Sequence, residues 1–181
     1  STDSFQYAEI AQKCGANVPF LRTEEMAGDN VGTWDTVREV LSNYKDIGQE
    51  FDYVALLQPT SPLRDSEDIK KAFKMLSKID VNTIVSITEV EHPVQWSFKI
   101  SNTGSMEEMA TSPYSYMRRQ DLELYYRENG AIYLVDAKKI IDLGYNYYAD
   151  KCYGYVMERE KSIDIDTEID LVIARNLMVE K

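Results

Sequence analysis

The chain has 181 residues, 44% of them hydrophobic, and a formal net charge of -11. That is apolar mass enough for one ordinary domain, while so acidic a surface argues against nucleic acid as a partner. No apolar run approaches the roughly 18 residues of a membrane span, no signal peptide is recognisable, and the opening Ser1 leads us to expect that upstream residues are absent. Residues 5–15 predict an amphipathic helix, with Tyr7, Ile10, Ala11 and Cys14 on one face and Gly15 as its stop. Ala16–Leu21 reads as a short strand and residues 33–45 as a second helix built on Val37, Val40 and Leu41. Tyr53–Leu57 is a continuous apolar run of the kind that forms a buried parallel strand. Residues 66–78 form a helix capped by Ser66, with Ile69, Ala72, Phe73 and Leu76 inward, and Thr83–Ile87 is another buried strand.

From Glu91 to about Asn129 the pattern breaks, with His92-Pro93, Asn102-Thr103-Gly104 and Ser112-Pro113 punctuating strand-like pieces such as Trp96–Ile100. We expect an insertion with its own small sheet. Regular order returns with a strand at Ala131–Val135, a helix at 137–143, a strand near Cys152–Met157 and a helix at 167–179. Alternating helices and strands imply one three-layer α/β/α domain over residues 1–181, Rossmann-like, with a mainly parallel sheet. Cys14 and Cys152 lie far apart and match no metal or disulfide spacing, as expected for reduced thiols of a cytoplasmic protein. An anionic substrate of so acidic a chain needs local cations, either a metal ion or a few placed arginines.

In open α/β sheets, ligands bind at the carboxyl ends of strands, and three loops there are chemically loaded. Leu56–Arg64 carries two prolines that stiffen a turn presenting Gln58, Thr60, Ser61 and Arg64. Gln58 both donates and accepts hydrogen bonds, which suits a sugar or a base edge. In Ser162–Asp170, Asp164 and Asp166 stand two apart on an extended segment, so both carboxylates point to one face. A hard divalent cation such as Mg²⁺ relieves their repulsion. Glu168 and Asp170 read as helix-capping acids. The third loop, Arg127–Tyr133, contains Asn129-Gly130, a turn signal in its own right, with Arg127 able to grip a phosphate or carboxylate. Arg118-Arg119 is a basic spot that either pairs with acids or meets a substrate carboxylate. His92, the single histidine, reads as structural, and the tyrosines at 125, 126, 145, 147 and 148 as core or interface.

The strings LLQPTSPLR, RENGAIYLV and SIDIDTEIDL, in this order and spacing, resemble the CMP-sialic acid synthetases (acylneuraminate cytidylyltransferases), along nearly the whole chain. STD at the start, the LR-x-x-E-x-A-x-D string holding Arg22 and Asp29, and VSITEVEHP fit the same family. The resemblance implies a nucleotidyltransferase fold and transfer of CMP from CTP to a sialic-acid-like 2-keto sugar acid, N-acetylneuraminate or a related nonulosonate, with release of pyrophosphate. By it, Asp164 and Asp166 are the catalytic pair and hold Mg²⁺, and Arg22 and Thr33 sit near the CTP. Gln58, Arg64, Arg119, Arg127, Asn129, Tyr133, Tyr147 and Tyr148 face the sugar acid, and residues 91–128 form a dimerisation insertion of a homodimer. Two departures stand out. Members begin with a strand and an A-R-x-G-S-K-G loop that cradles the triphosphate, which is not in this sequence, and Gln95 stands where lysine often follows His-Pro. Cytidylyl transfer to another sugar acid such as 3-deoxy-manno-octulosonate, and a non-catalytic dimeric binding module, are the two alternatives.

Overall fold

The computed structural model describes residues 1–28, 30–77, 80–143 and 151–179. These residues fall into two compact units, Ser1–Leu56 with Val135–Asp150, and Leu57–Leu134 with Lys151–Lys181. The described helices are α1 (Phe5–Lys13), α2 (Thr33–Asp46), α3 (Ser66–Leu76), α4 (Glu107–Thr111), α5 (Ala137–Leu143) and α6 (Glu168–Val179). The described strands, β1 (Tyr53–Leu56), β2 (Thr83–Glu89), β3 (Tyr126–Asp136) and β4 (Cys152–Val156), follow the order β1-β3-β2-β4. Among the described residues, no helix is long and apolar enough to cross a membrane.

The first unit is organised by α2. Gly32 is its N-cap, and Val37 and Leu41, one turn apart, pack with Val135, Ala137 and Ile140, flanked by Trp34, Val54 and Leu56. Edge-to-face contacts run from Phe20 to Tyr44 and from Tyr44 to Phe51 at centroid distances of 5.1 and 5.0 Å. Helix α1 starts at Ser4, whose Oγ accepts from the Tyr7 N–H, and Gly15, with φ +91°, follows its end. Its buried residue is Ala8, and Tyr7 and Ile10 lie on exposed surface, so the inward face is not the one expected. Ala16–Leu21 forms no strand; apolar residues make a strand only where a ladder partner exists. β1 is half-buried rather than fully buried, with exposed Tyr53 and Ala55 alternating with half-buried Val54 and Leu56.

In the second unit β2 and β4 pair in parallel, from Thr83 opposite Cys152 to Ile87 opposite Val156. Ile84, Ala131, Ile132, Leu134 and Met157 form its core with Ala72 of α3 and Val81, joined by Ile69, Met75 and Leu76. Each fully buried Ile or Leu side chain contributes about 1.5–3 kcal/mol of burial free energy. Phe73, expected inward, is exposed. The N-cap of α3 is Asp65, not Ser66: Asp65 accepts from the Glu67 and Asp68 N–H groups, and Asp68 in turn accepts from the Asp65 N–H, a reciprocal capping box.

The stretch 91–125 contains no strand. It holds a short turn at Val94–Trp96, helix α4 and a second turn at Arg119–Asp121. Side chains tie it together where a ladder was expected: Trp96 Nε1 donates to the Tyr114 carbonyl at 3.2 Å and Gln95 Nε2 to the Glu123 carbonyl at 3.1 Å.

Candidate active site

The second unit brings the three loaded loops together. Gln58 and Ser61 come from the loop after β1, Asn129 and Gly130 from inside β3, and Asp164 from the segment before α6. Gly130 marks where they meet. A side-chain carbon there would stand 2.5 Å from Gln58 Oε1, 2.8 Å from Ser61 Oγ and 3.5 Å from Asp164 Oδ2, so the three polar groups crowd onto one patch of bare backbone. Its φ of +69° is left-handed, which glycine tolerates best. Asn129-Gly130 is therefore not a turn before the strand. It is a distortion within an 11-residue strand, placed against the loops.

Asn129 explains why the strand is held there. It is 1% exposed, and both polar ends of its side chain are occupied. Oδ1 accepts from Ser86 Oγ at 2.6 Å and from the Ala131 N–H at 3.2 Å, while Nδ2 donates to Ser162 Oγ at 2.9 Å. Its carbonyl accepts from Ser61 Oγ at 2.9 Å, and Ser86 Oγ also accepts from the Ile132 N–H at 2.7 Å. Asn129, expected at the sugar, is thus the buried hub joining β2, β3, the Gln58 loop and the Ser162 segment. Ser86 and Ser162, both fully buried, are members that reading the sequence missed. No local signal marks them, because their partners lie 43 and 33 residues away.

Arg64 turns back on its own loop. Nη1 donates to the Gln58 carbonyl at 2.7 Å and the Ser61 carbonyl at 2.5 Å, and burial lowers its pKa from the ordinary arginine value. It braces the loop from below. Ile165 N–H donates to the Thr60 carbonyl at 2.9 Å, which ties the Asp164 segment directly to the same loop.

Asp164 and Asp166 differ in setting. Asp164 is half-buried, and its Oδ1 is buried with no hydrogen-bond partner among the described residues. Asp166 is exposed. A buried carboxylate oxygen without a donor is costly unless a cation or donor meets it. No group of three or more His, Cys, Asp or Glu side chains converges among the described residues. Two carboxylates nevertheless suit Mg²⁺, which keeps several waters and takes one or two protein carboxylates alongside substrate phosphates. The donor set and the orphaned oxygen fit that ion. Downstream, Asp170 accepts from the Asp166 and Thr167 N–H groups, which makes it the capping acid of α6.

The candidate cations are already engaged. Arg127 Nη2 donates to Glu91 Oε1 at 2.6 Å, and Nε donates to Oε2 at 3.3 Å, a two-point grip. That pairing, with a smaller contribution from Asp164, raises the Arg127 pKa and lowers Glu91 to about 2. Arg119 lies 4.0 Å from Glu89, with half its side chain exposed, and Arg118 pairs with Asp121. Tyr133 is 8% exposed and its hydroxyl donates to Glu128 Oε2 at 3.0 Å. His92 is exposed.

Arg22 and Thr33 belong to the first unit. Arg22 Nη2 bonds Asp3 at 3.2 Å, while its Nε is buried with no partner among the described residues. Thr33 is the exposed first residue of α2. Asp29, Tyr145, Tyr147 and Tyr148 lie outside the described residues.

The chain is 35% identical over 185 residues to the CMP-N,N'-diacetyllegionaminic acid synthase of Legionella pneumophila, covering 98% of this chain and 76% of that protein. It is 38% identical over 173 residues to an N-acylneuraminate cytidylyltransferase of Streptococcus agalactiae, covering 95% of this chain but 40% of that longer protein. Among solved structures, CMP-2-keto-3-deoxy-manno-octonic acid synthetase in complex with CTP superposes with a TM-score of 0.62 at 15% identity, over 99% of this chain and 79% of that one. This likeness establishes the α/β nucleotidyltransferase fold. The family model described as cytidylyltransferase matches residues 1–178, and the chain belongs to that family.

Proposed function

We propose that this chain transfers CMP from CTP to a sialic-acid-like 2-keto sugar acid, a nonulosonate of the neuraminate or legionaminate type, releasing pyrophosphate. The observation that carries the reading is the convergence of Gln58, Ser61 and Asp164 on the bare backbone at Gly130, where the second oxygen of Asp164, Oδ1, is buried with no partner among the described residues. The family match and the names of the two relatives point to the same chemistry.

In this reading the sugar's anomeric hydroxyl attacks the α-phosphorus of CTP. An O–P bond forms, the bond to the departing pyrophosphate breaks, and the hydroxyl proton is released. Mg²⁺ held by Asp164 and Asp166 would supply charge neutralisation on the phosphates and a more acidic hydroxyl. Gln58, on its stiffened and Arg64-braced loop, would orient the sugar with little entropy left to lose. Arg127 and Arg119 would offer positive charge to the sugar carboxylate while their outer carboxylate partners, Glu91 and Glu89, hold them in place.

We further propose a homodimer formed through residues 91–128, which expose Ile100, Met106, Tyr116 and Leu124. The cytoplasm is the compartment we assign, in keeping with two free cysteines. Pyrophosphate release tests the reading, with CTP, Mg²⁺ and a panel of 2-keto sugar acids. Release with a nonulosonate is expected. No release with any sugar would refute the enzyme assignment, and release with 3-deoxy-manno-octulosonate alone would refute the sugar class.

A further inference from the structure

Lys161 lies three residues before Asp164 and has no place in the reaction as drawn. It is nonetheless paired with two carboxylates at once. Its side chain is 17% exposed, and Nζ donates to Asp65 Oδ2 at 2.7 Å and to Asp68 Oδ2 at 3.0 Å. Asp68 is 3% exposed, and its other oxygen accepts from the Tyr155 hydroxyl at 3.1 Å. The same two aspartates form the capping box of α3, directly after Arg64, which grips the Gln58 and Ser61 carbonyls.

Polar contacts thus hold Arg64 to the Gln58 loop and Lys161 to the head of α3, and the peptide bond between Arg64 and Asp65 joins the two sets. Beyond Lys161, Ser162 is anchored by Asn129 and by its own bond to the Glu158 carbonyl at 2.7 Å. On the far side of Asp164, Ile165 N–H is anchored to Thr60. Asp164 therefore sits on a short segment pinned at both ends, and Lys161 carries the one ion-paired pin.

Replacing a buried ion pair with neutral groups is often harmless or stabilising to a fold. Its stabilising value is therefore weak grounds for its presence, and registry is the better-attested use. We propose that Lys161 is a positioning residue: by clamping the Ser162–Asp166 segment to Asp65 and Asp68, it holds Asp164 in register with Gln58 for a divalent cation. The inference rests on the metal role given to Asp164 above.

The test compares wild type, Lys161→Met, Lys161→Arg and the double variant Lys161→Met/Asp68→Asn, which leaves no buried charge unpaired if the single variant fails to fold. Mn²⁺ alone is the probe, titrated by electron paramagnetic resonance, with turnover and thermal unfolding measured in parallel. The double variant is expected to stay folded, to bind Mn²⁺ about 10-fold or more weakly, and to lose kcat by a similar factor with the KM for CTP little changed. Lys161→Arg, which keeps the charge, is expected to recover most of both. A folded double variant binding Mn²⁺ within about twofold of wild type overturns the proposal, because a purely structural lysine would shift unfolding and leave metal affinity alone. Wild type that binds no Mn²⁺ overturns it as well. The titration contains no sugar, so wild type that binds Mn²⁺ but releases no pyrophosphate sinks the proposed reaction and leaves the clamp standing.

Discussion

The crowding at Gly130 makes a quantitative prediction. In Gly130→Ala the new carbon meets Gln58 Oε1 at 2.5 Å and Ser61 Oγ at 2.8 Å, both well inside ordinary contact. The two clashes are not equivalent. Gln58 Oε1 is the far end of a flexible side chain and can swing away at small cost. Ser61 is fully buried, and its Oγ is committed to the Asn129 carbonyl at 2.9 Å. Moving it sacrifices that hydrogen bond, about 0.5–1.5 kcal/mol. Holding alanine at φ +69° adds about 1–2 kcal/mol. The sum is about 1.5–3.5 kcal/mol of lost stability.

Chemical denaturation of wild type, Gly130→Ala, Ser61→Ala and the double variant separates these contributions. Ser61→Ala removes the hydrogen bond and the obstacle together, so the two changes are not additive. The double variant should fall short of the summed single losses by about 1 kcal/mol, the part they share. The swing of Gln58 should appear separately, as a rise in the KM for the sugar acid. If Gly130→Ala lies within about 0.5 kcal/mol of wild type, the crowding and the left-handed backbone are not as described.

Two further outcomes follow from groups in the same unit. Asp164→Asn should reduce kcat by about 100-fold or more, yet leave the thermal midpoint unchanged or raised, since it removes charge from a carboxylate with a buried, unpartnered oxygen; a midpoint several degrees lower would mean that Asp164 is held by protein groups. Glu91 is depressed from 4.5 to about 2 by Arg127, so its contribution is complete above pH 4.5 and is lost as the pH falls through 2. The pair is roughly two-fifths exposed, which limits that contribution to about 0.5–1 kcal/mol. Glu91→Gln should be less stable than wild type by that amount at pH 7, and the two unfolding curves should converge between pH 4.5 and 2. A gap that persists at pH 2 would count against the ion pair.

Much of the second unit was readable from periodicity alone. The apolar run that became β2 and the period of α3 dictate burial locally, and the structure agrees except at Phe73. Reading failed where the deciding contact lies far along the chain. Ala16–Leu21 has apolar content but no ladder partner, and strand propensity describes a fit to neighbours rather than a property of a segment. Trp96–Ile100 is similar: the Trp96 indole is used by the Tyr114 carbonyl, and its segment never enters a sheet. Asn129-Gly130 is the instructive failure. The dipeptide favours a hairpin turn in isolation, but Ser86 and Ser162 capture the Asn129 side chain from opposite sides, and the strand runs straight through the signal.

That capture also explains why the candidate site was legible in kind but not in role. Gln58, Arg64, Asn129 and Asp164 were all recognisable as polar groups at strand ends, and all four fall within the second unit. Their division of labour follows from how many hydrogen-bonding atoms each has left. Asn129 uses both ends of its side chain on protein partners, and Arg64 spends Nη1 on two carbonyls of its own loop, so both hold the backbone that others stand on. Asp164 keeps a buried oxygen, Oδ1, that no donor among the described residues meets, while its Oδ2 is the oxygen that faces Gly130. Folding has thus satisfied Asn129, which shapes the site, and left uncompensated the carboxylate that the proposed reaction assigns to a metal ion. A buried acceptor left in that state costs stability in the free protein, and a cation arriving with its phosphates recovers the cost on binding. Divalent metal should therefore raise the thermal midpoint of wild type, and should fail to raise that of Asp164→Asn.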